Sequence, residues 1–205
     1  MIYSQNNEQE VILDYLKEFK PELLTVIDIG ANDGKTLSNT FALYELGAKC
    51  IYAEPDPNAF KKLLANCPDG NCINAAVGLT TGSSVLFSSD SHLTPDDTGL
   101  LSTTKESEMS RFPNQNFTPV PCELITFADL LDRTEITFVD FISIDAEGMD
   151  YEILTQINLR ELGVKIVCIE HNSDIGLMDK IMQYCNMHGL SSNLLTNGEN
   201  IIMAL

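Results

Sequence analysis

The side chains best suited to chemistry in this sequence follow two largely apolar segments. The first segment, residues 138–144, has the pattern of a buried parallel strand and ends in Asp145 and Glu147. The second segment, residues 164–169, is followed directly by Glu170, His171 and Asn172. Carboxylates are costly to bury in a core, but they are common in the crevice where the strand ends of open α/β sheets bind ligands. The sequence therefore predicts a site where these two strands end.

His171 is the residue of this group with an ordinary pKa nearest neutrality, which suits a general base. A single histidine is more often structural, but one at a strand end beside acids is better placed to take a proton. His188, near the end of a predicted helix, has no such neighbours in the sequence.

The stretch VIDIGANDG, residues 26–34, is the second informative motif. Its apolar residues predict a buried strand, and Gly30 and Gly34 predict a tight turn from which a helix starts. Such a turn presents backbone N–H groups and a helix N-terminus to a ligand, and glycine lets the ligand approach. The Asp28 carboxylate is placed to receive hydrogen bonds there. With Asn32 as the middle residue, the spacing fits the acidic-x-Gly-x-Gly-x-Gly motif of S-adenosylmethionine binders better than the dinucleotide motif.

Glu54 ends the next predicted strand, AKCIYAEP, about 20 residues after the turn. A carboxylate at that position can accept hydrogen bonds from both hydroxyls of a ribose. A third strand is predicted over residues 72–78, and it would bring Ala75 and Ala76 to the same crevice, where they could line an adenine. The alternatives are that the glycine turn joins its strand to the next segment without binding a ligand, and that Glu54 is only a polar residue at the end of a strand.

Strand and helix patterns alternate along the chain and predict one α/β domain over residues 1–205. A covering helix is predicted within residues 1–22, and a helix with Leu37, Phe41 and Tyr44 on one face directly after the glycine turn. Thr126 and Asp129 are spaced as a capping box. The pair Asn197-Gly198 predicts a terminal hairpin.

Residues 90–119 are polar and lack periodicity, which favours a substrate loop or lid within the domain. His92, Lys105 and Arg111 are its basic or imidazole side chains. Each of them, taken singly, has the character of a solvated surface residue.

The chain carries 12 basic and 30 acidic residues, a formal charge of −18. Such a surface repels nucleic acid and anionic membranes, so we expect neither as a partner. The beginning of the sequence lacks a signal-peptide pattern and no apolar run is long enough to span a bilayer, so we expect a cytoplasmic protein. Cys67 and Cys72 are close enough to pair, but we expect free thiols in a reducing compartment.

From Val26 to Asn172 the sequence resembles the FkbM family of methyltransferases. The matching features are VIDIGANDG, AEP at Glu54, NAAVG, the block IDAEG with Leu154 after it, and the later IEH. The resemblance implies a Rossmann-like class I methyltransferase with a mostly parallel seven-stranded sheet, helices on both faces and a C-terminal antiparallel hairpin. Ser143 stands where this family usually has lysine, so handling of the substrate is expected to differ.

The resemblance also implies S-adenosylmethionine as cofactor and methyl transfer to a hydroxyl oxygen of a sugar or small natural product. The implied cofactor residues lie after the first three strands of the sheet; they are Asp28, Gly30, Ala31, Asn32, Gly34, Glu54, Pro55, Ala75 and Ala76. The proton of the acceptor hydroxyl would pass to His171 or Asp145. A minority hypothesis places a divalent cation on Asp145, Glu170 and Asn172, because hard oxygen ligands suit magnesium.

Two other functions are compatible with the fold class. A nucleotide-dependent oxidoreductase is disfavoured by the missing third glycine and by the terminal hairpin. A binding module without catalysis is disfavoured by the carboxylates after both later strands. The oligomeric state and the acceptor are not encoded in any readable motif.

Overall fold

The computed structural model describes residues 1–91 and 99–205, and these residues form two sheets with helices on both faces of the larger one. Their strands are β1 (Thr25–Ile29), β2 (Lys49–Ala53), β3 (Asn71–Ile73), β4 (Ala76–Val77), β5 (Gly82–Ser89), β6 (Phe117–Ile125), β7 (Phe141–Ile144), β8 (Ile166–Glu170), β9 (Ser192–Thr196) and β10 (Asn200–Ala204). Their α-helices are α1 (Glu8–Leu16), α2 (Phe41–Glu45), α3 (Pro57–Asn66), α4 (Phe127–Thr134), α5 (Asp150–Leu154), α6 (Leu159–Leu162) and α7 (Ile175–Met187).

The larger sheet has seven strands in the order β3-β2-β1-β7-β8-β10-β9. The first five of these are parallel, and β10 runs antiparallel to both of its neighbours. This arrangement confirms the predicted mostly parallel seven-stranded sheet with a C-terminal hairpin. It also places the carboxyl ends of β1, β2, β7 and β8 at one edge.

Side chains of β1 alternate between the two faces of the sheet, and both faces are covered. Ile27 and Ile29 belong to one apolar cluster, which includes residues of α4, α5, α6 and α7. Val26 belongs to a second cluster, with Ile12 and Leu16 of α1. A strand buried on both sides has an almost continuous apolar sequence, as residues 26–29 do apart from Asp28.

The prediction of one continuous third strand over residues 72–78 is wrong. Residues 71–73 form β3 in the large sheet, whereas residues 76–77 form β4 in a second sheet of order β4-β6-β5. Between them the Asn74 side-chain amide donates to the carbonyl oxygens of Glu54, at 2.8 Å, and of Pro55, at 3.2 Å. These bonds hold the chain where it leaves one sheet for the other.

The predicted helix directly after the glycine turn is also wrong. Asn32 and Leu37 have positive φ angles of 48° and 56°, and the five-residue α2 starts only at Phe41. The Asp33 side chain instead accepts bonds from the backbone of Lys35 and Thr36, at 2.8 and 2.6 Å. Residues 31–40 are therefore an irregular loop.

In the N-terminal segment α1 packs against the sheet through Ile12 and Leu16 and ends at Leu16, and a short 3₁₀ turn (Pro21–Leu23) follows. Glu8 at the start of α1 is fully buried. Its Oε1 accepts bonds from the side chains of Asn197, at 2.7 Å, and Asn200, at 3.2 Å. The helix is thus fixed to the terminal hairpin.

Smaller features follow the sequence patterns. The capping box of Thr126 and Asp129 is formed at the start of α4, and all six cysteines are free thiols. Among residues 1–91 and 99–205, no helix combines the length and the apolar character needed to cross a bilayer.

Gly30→Ala is expected to lower the free energy of unfolding by ~3 kcal/mol or more. Gly30 has φ +80°, and an added Cβ would lie 1.6 Å from the carbonyl oxygen of Asp145, so strain and overlap add. The control Gly198→Ala places its Cβ 3.7 Å from the Ser173 hydroxyl, an ordinary contact, and should change the free energy by less than ~1 kcal/mol. Urea denaturation measures both, and equal effects would contradict the contact.

Candidate active site

A cavity of about 250 Å³ lies at the carboxyl edge of the large sheet. The loops after β1, β2, β7 and β8 line it, together with residues 99–102 and Arg111 from the segment between β5 and β6. Parallel α/β sheets bind ligands at this edge. The predicted position of the site therefore coincides with the cavity.

The glycine turn does not offer free N–H groups in the way that the sequence suggested. The N–H groups of Gly30 and Ala31 both donate to the carbonyl oxygen of Ala53, at 3.0 and 3.2 Å, and that of Asn32 donates to Glu54 at 2.7 Å. Gly30 is required for a different reason, since its backbone passes against the Asp145 carbonyl. Gly34 is not among the described residues that line the cavity, and its Cα packs against Leu63 and Cys67.

The side chain of Asn32 supplies a donor instead. Asn32 is 9% exposed and lines the cavity. Its Nδ2 is buried and has no hydrogen-bond partner among the residues that the structure describes. Since buried polar groups are normally paired, this amide is available to a ligand.

Asp28 and Glu54 are carboxylates held by the protein at the wall of the cavity. Asp28 accepts a bond from the Thr40 hydroxyl at 2.6 Å, and burial raises its pKa to about 6. Glu54 accepts from the backbone of Asn32 and of Asp56, at 2.7 and 2.6 Å. Burial raises the pKa of Glu54 to about 8. Each oxygen of Glu54 keeps a second lone pair, so these bonds leave room for a ligand hydroxyl.

The wall beyond Glu54 is apolar. Pro55, Ala75, Ala76 and Val77 line the cavity there, and both alanines are almost fully buried. The sequence placed Ala75 and Ala76 at this crevice, and the structure brings them there through the chain segment that leaves the large sheet.

Four carboxyl groups gather after β7 and β8. Asp145, Glu147 and Glu170 line the cavity, and Asp150 lies behind them with its two oxygens accepting the N–H groups of Ala146, at 2.7 Å, and Gly148, at 3.0 Å. Asp150 was missed by sequence reasoning, although its place at the start of the helix after IDAEG was a usable signal.

Loss of bulk solvent raises the pKa of each of these four groups. It raises that of Asp150 to about 6 and that of Glu147 to about 7, the latter against the lowering effect of Arg111. The pKa values of Asp145 and Glu170 are raised well above their usual range, first by burial and then by neighbouring carboxylates. Asp145 is exposed and lines the cavity, so its side chain has contact with solvent there.

The structure separates the two candidate bases. Asp145 lines the cavity, whereas His171 is not among the described lining residues. His171 is 3% exposed, and both of its ring nitrogens are buried without a hydrogen-bond partner in the described part of the chain. Asn172, from the minority metal hypothesis, lines the cavity.

The polar segment between β5 and β6 contributes two basic residues that contact the loop after β7. Arg111 lines the cavity and forms ion pairs with Glu108, at 3.0 Å, and Glu147, at 3.7 Å. Lys105 donates to the carbonyl oxygen of Gly148 at 2.9 Å. Arg111 is exposed and Lys105 is half-buried, so both remain surface residues while making these contacts. His92 lies outside the described residues.

The cavity is strongly acidic. Among the described lining residues Arg111 is the one basic side chain, against six carboxylates: Asp28, Glu54, Asp145, Glu147, Glu170 and Glu199. A site of this charge favours a cationic ligand or part of one.

Comparison with known proteins gives a consistent result. The family model described as the Methyltransferase FkbM domain matches residues 28–189. The crystal structure of methyltransferase FkbM from Methylobacillus flagellatus KT is similar, with a TM-score of 0.57 and 14% identity, covering 90% of this chain and 44% of that chain. The METTL16 MTase domain has a TM-score of 0.51 and 11% identity, covering 97% of this chain and 65% of that chain.

No curated protein matches the sequence significantly. The chain spans less than two thirds of the length of either of these two structures. At these identities the similarity concerns the fold, which is that of class I methyltransferases, and it confirms the predicted fold class.

The residues present fit S-adenosylmethionine. That molecule carries a sulfonium and an ammonium group, which the six carboxylates complement, and a carboxylate and hydroxyls, for which Asn32 Nδ2 is an unpaired donor. The apolar wall of Ala75 and Ala76 suits a flat base.

Glu147→Gln is expected to flatten the pH dependence of stability between about pH 4.5 and 7. Because the pKa of Glu147 rises from 4.5 to about 7 on folding, its carboxyl favours the folded state at low pH. That stability is lost as the pH rises to about 7, a loss of up to roughly 3 kcal/mol. Thermal melts across this range measure the slope. The control Glu22→Gln removes an exposed carboxylate, and its stability should depend on pH as that of the wild type does. If the slope for Glu147→Gln equals the slopes for the control and the wild type, the burial of Glu147 is contradicted.

Proposed function

We propose that this chain, which belongs to the Methyltransferase FkbM domain family, transfers a methyl group from S-adenosylmethionine to a hydroxyl oxygen of a sugar or other small acceptor. The observation that carries the proposal is the cavity with six carboxylates and one arginine among its described lining residues. Its position at the carboxyl edge of the sheet supports the same conclusion.

Within this proposal the loop after β1 holds the amino-acid part of the cofactor, through Asp28, Ala31 and Asn32. Gly30 keeps the loop close to the end of β7, and Gly34 packs the loop onto α3. These two glycines therefore act by shaping the loop.

The next two strands of the sheet hold the nucleoside. Glu54 has free lone pairs for the ribose hydroxyls, next to Pro55. Ala75 and Ala76 provide the apolar surface for adenine. The buried position of Glu54 and its two backbone bonds orient its carboxylate in advance, which reduces the ordering cost of binding.

S-adenosylmethionine supplies the methyl group: a bond forms from the acceptor oxygen to the methyl carbon while the bond from that carbon to sulfur breaks, and the electron pair leaves with sulfur as S-adenosylhomocysteine. The main task of the protein is to align the acceptor with that bond. The hydroxyl proton passes to Asp145, which faces the cavity and whose pKa is raised. We assign this role to Asp145 over His171 because His171 is not among the described lining residues.

The acidic character of the chain supports a small acceptor. With a formal charge of −18 and an acidic cavity, the protein repels the phosphates of a nucleic acid. Residues 99–102 and Arg111 line the cavity and are placed to contact the acceptor. The polar segment that contains them is our candidate for the substrate loop.

Isothermal titration of the purified protein should show binding of S-adenosylmethionine and S-adenosylhomocysteine and no binding of NAD. Glu54→Gln should weaken both sulfur nucleotides about tenfold, since an amide cannot accept at both positions. Glu22→Gln is the surface control. Binding of NAD alone would favour an oxidoreductase, and binding of none of the three would favour a module without catalysis.

Asp145→Asn should reduce the rate of methyl transfer by about 10²–10⁴-fold, while S-adenosylhomocysteine binds with a Kd within about fivefold of the wild type. Radiolabelled methyl transfer to a panel of monosaccharides and small hydroxylated metabolites measures the rate, with a mixed-sequence RNA as an additional acceptor. An unchanged rate would remove Asp145 as the base, and transfer to the RNA alone would contradict the small-acceptor proposal.

A further inference from the structure

We propose that Asp145, Asp150 and Glu170 form a binding site for a divalent cation at the acceptor end of the cavity. The role of the ion rests on the proposed function, because a bound cation would polarise the acceptor hydroxyl. Whether the protein binds the cation does not depend on that function. Each of the three side chains offers a carboxylate oxygen, and these oxygens all lie within 4.8 Å of one another.

The fold itself produces this arrangement. β7 and β8 are parallel neighbours with Ile144 opposite Ile169, so the residues that follow, Asp145 and Glu170, come together at the strand ends. Asp150 is brought to them by the tight turn after β7. Its two hydrogen bonds to the backbone of that turn hold the carboxylate in place, and each oxygen keeps a second lone pair.

Glu170 is the observation that points to a ligand. It is 8% exposed, and its Oε2 is buried with no hydrogen-bond partner among the residues that the structure describes. The bonds of Asp150 are explained by the turn that it stabilises, but no such structural role accounts for Glu170. A buried carboxylate normally has a positive partner or a set of donors.

The basic groups near the cavity form their ion pairs with other carboxylates. Arg111 forms ion pairs with Glu108 and Glu147, and Lys105 bonds the Gly148 carbonyl and lies 3.8 Å from Glu152. Within the described ranges no ion pair involves Asp145, Asp150 or Glu170. Arg111 therefore acts on Glu170 only at a distance, and the three neighbouring carboxyl groups have no ion-pair partner among the described residues, which an added cation would supply.

The ligand set selects a hard cation. All three ligands are carboxylate oxygens, which suit Mg²⁺, Mn²⁺ or Ca²⁺ rather than Zn²⁺. Two oxygens on one Mg²⁺ at about 2.1 Å lie roughly 3 to 4.2 Å apart, so the observed separations need only small movements. Because Asp145 and Glu170 line the cavity, the remaining positions of the ion are open to water or to an acceptor oxygen.

The test is Mn²⁺ binding to the protein without nucleotide or acceptor, measured at pH 7.5 from the electron paramagnetic resonance signal of free Mn²⁺, with Mg²⁺ as competitor. We expect one site in the wild type. Glu170→Gln and Asp145→Asn should each weaken it at least tenfold. Glu170→Gln alters an oxygen that has no described partner, so circular dichroism and thermal melting should show an intact fold.

Glu199→Gln is the matched control, since Glu199 is a carboxylate of the same cavity outside the three, and its Mn²⁺ affinity should stay within about threefold of the wild type. Equal affinity in all variants would overturn the site. Absence of Mn²⁺ binding while S-adenosylhomocysteine still binds would overturn the cation site and leave the proposed function intact; the three carboxyl groups would then be protonated, or meet the ammonium group of the cofactor. If the wild type binds neither Mn²⁺ nor S-adenosylhomocysteine, both proposals are overturned.

Discussion

The contact between the turn after β1 and the end of β7 is the constraint on which this site depends. The Gly30 Cα lies so close to the Asp145 carbonyl that a side chain cannot be accommodated, and the Asp145 N–H donates to the Ile29 carbonyl oxygen at 2.9 Å. This close packing brings the loop with Asp28 and Asn32 next to the loop with Asp145 and Glu147. One cavity therefore has the loops of both strands in its wall, and a cofactor on one side can meet an acceptor on the other.

Carboxylates at this edge come at an energetic cost, since burial raises the pKa of Asp28, Glu54, Glu147 and Asp150 and, more strongly, those of Asp145 and Glu170. Groups that destabilise a fold in their charged form are frequent at functional sites, where a bound ligand offsets the cost. A cationic cofactor, and a cation at the acceptor end, would each lower this cost. Arg111 lies at this acidic edge as an exposed side chain paired with two glutamates.

Much of the fold followed from local patterns, because buried parallel strands are continuous apolar runs and the terminal Asn-Gly pair forms a hairpin. Features set by tertiary contacts could not be predicted from local sequence patterns. Leu37 has helical spacing but a positive φ, and residues 72–78 look like one strand but divide between two sheets. The carboxylates at the strand ends could be located from sequence, whereas the contact of Asp150 with them and the position of Arg111 at the cavity depend on how loops fold back. No residue pattern distinguishes Asp145, which faces the cavity, from His171, which is not among its described lining residues.

The most direct test of the account is a crystal structure of the protein with S-adenosylhomocysteine. The account predicts the ribose hydroxyls at Glu54, the adenine against Ala75 and Ala76, and the amino-acid part beside Asp28 with Asn32 Nδ2 as a donor to it. A nucleotide bound in the cavity without contact to Glu54 and Asn32, or bound elsewhere on the chain, would contradict the central claim that the carboxyl edge of this sheet is built for a methyl-donor cofactor.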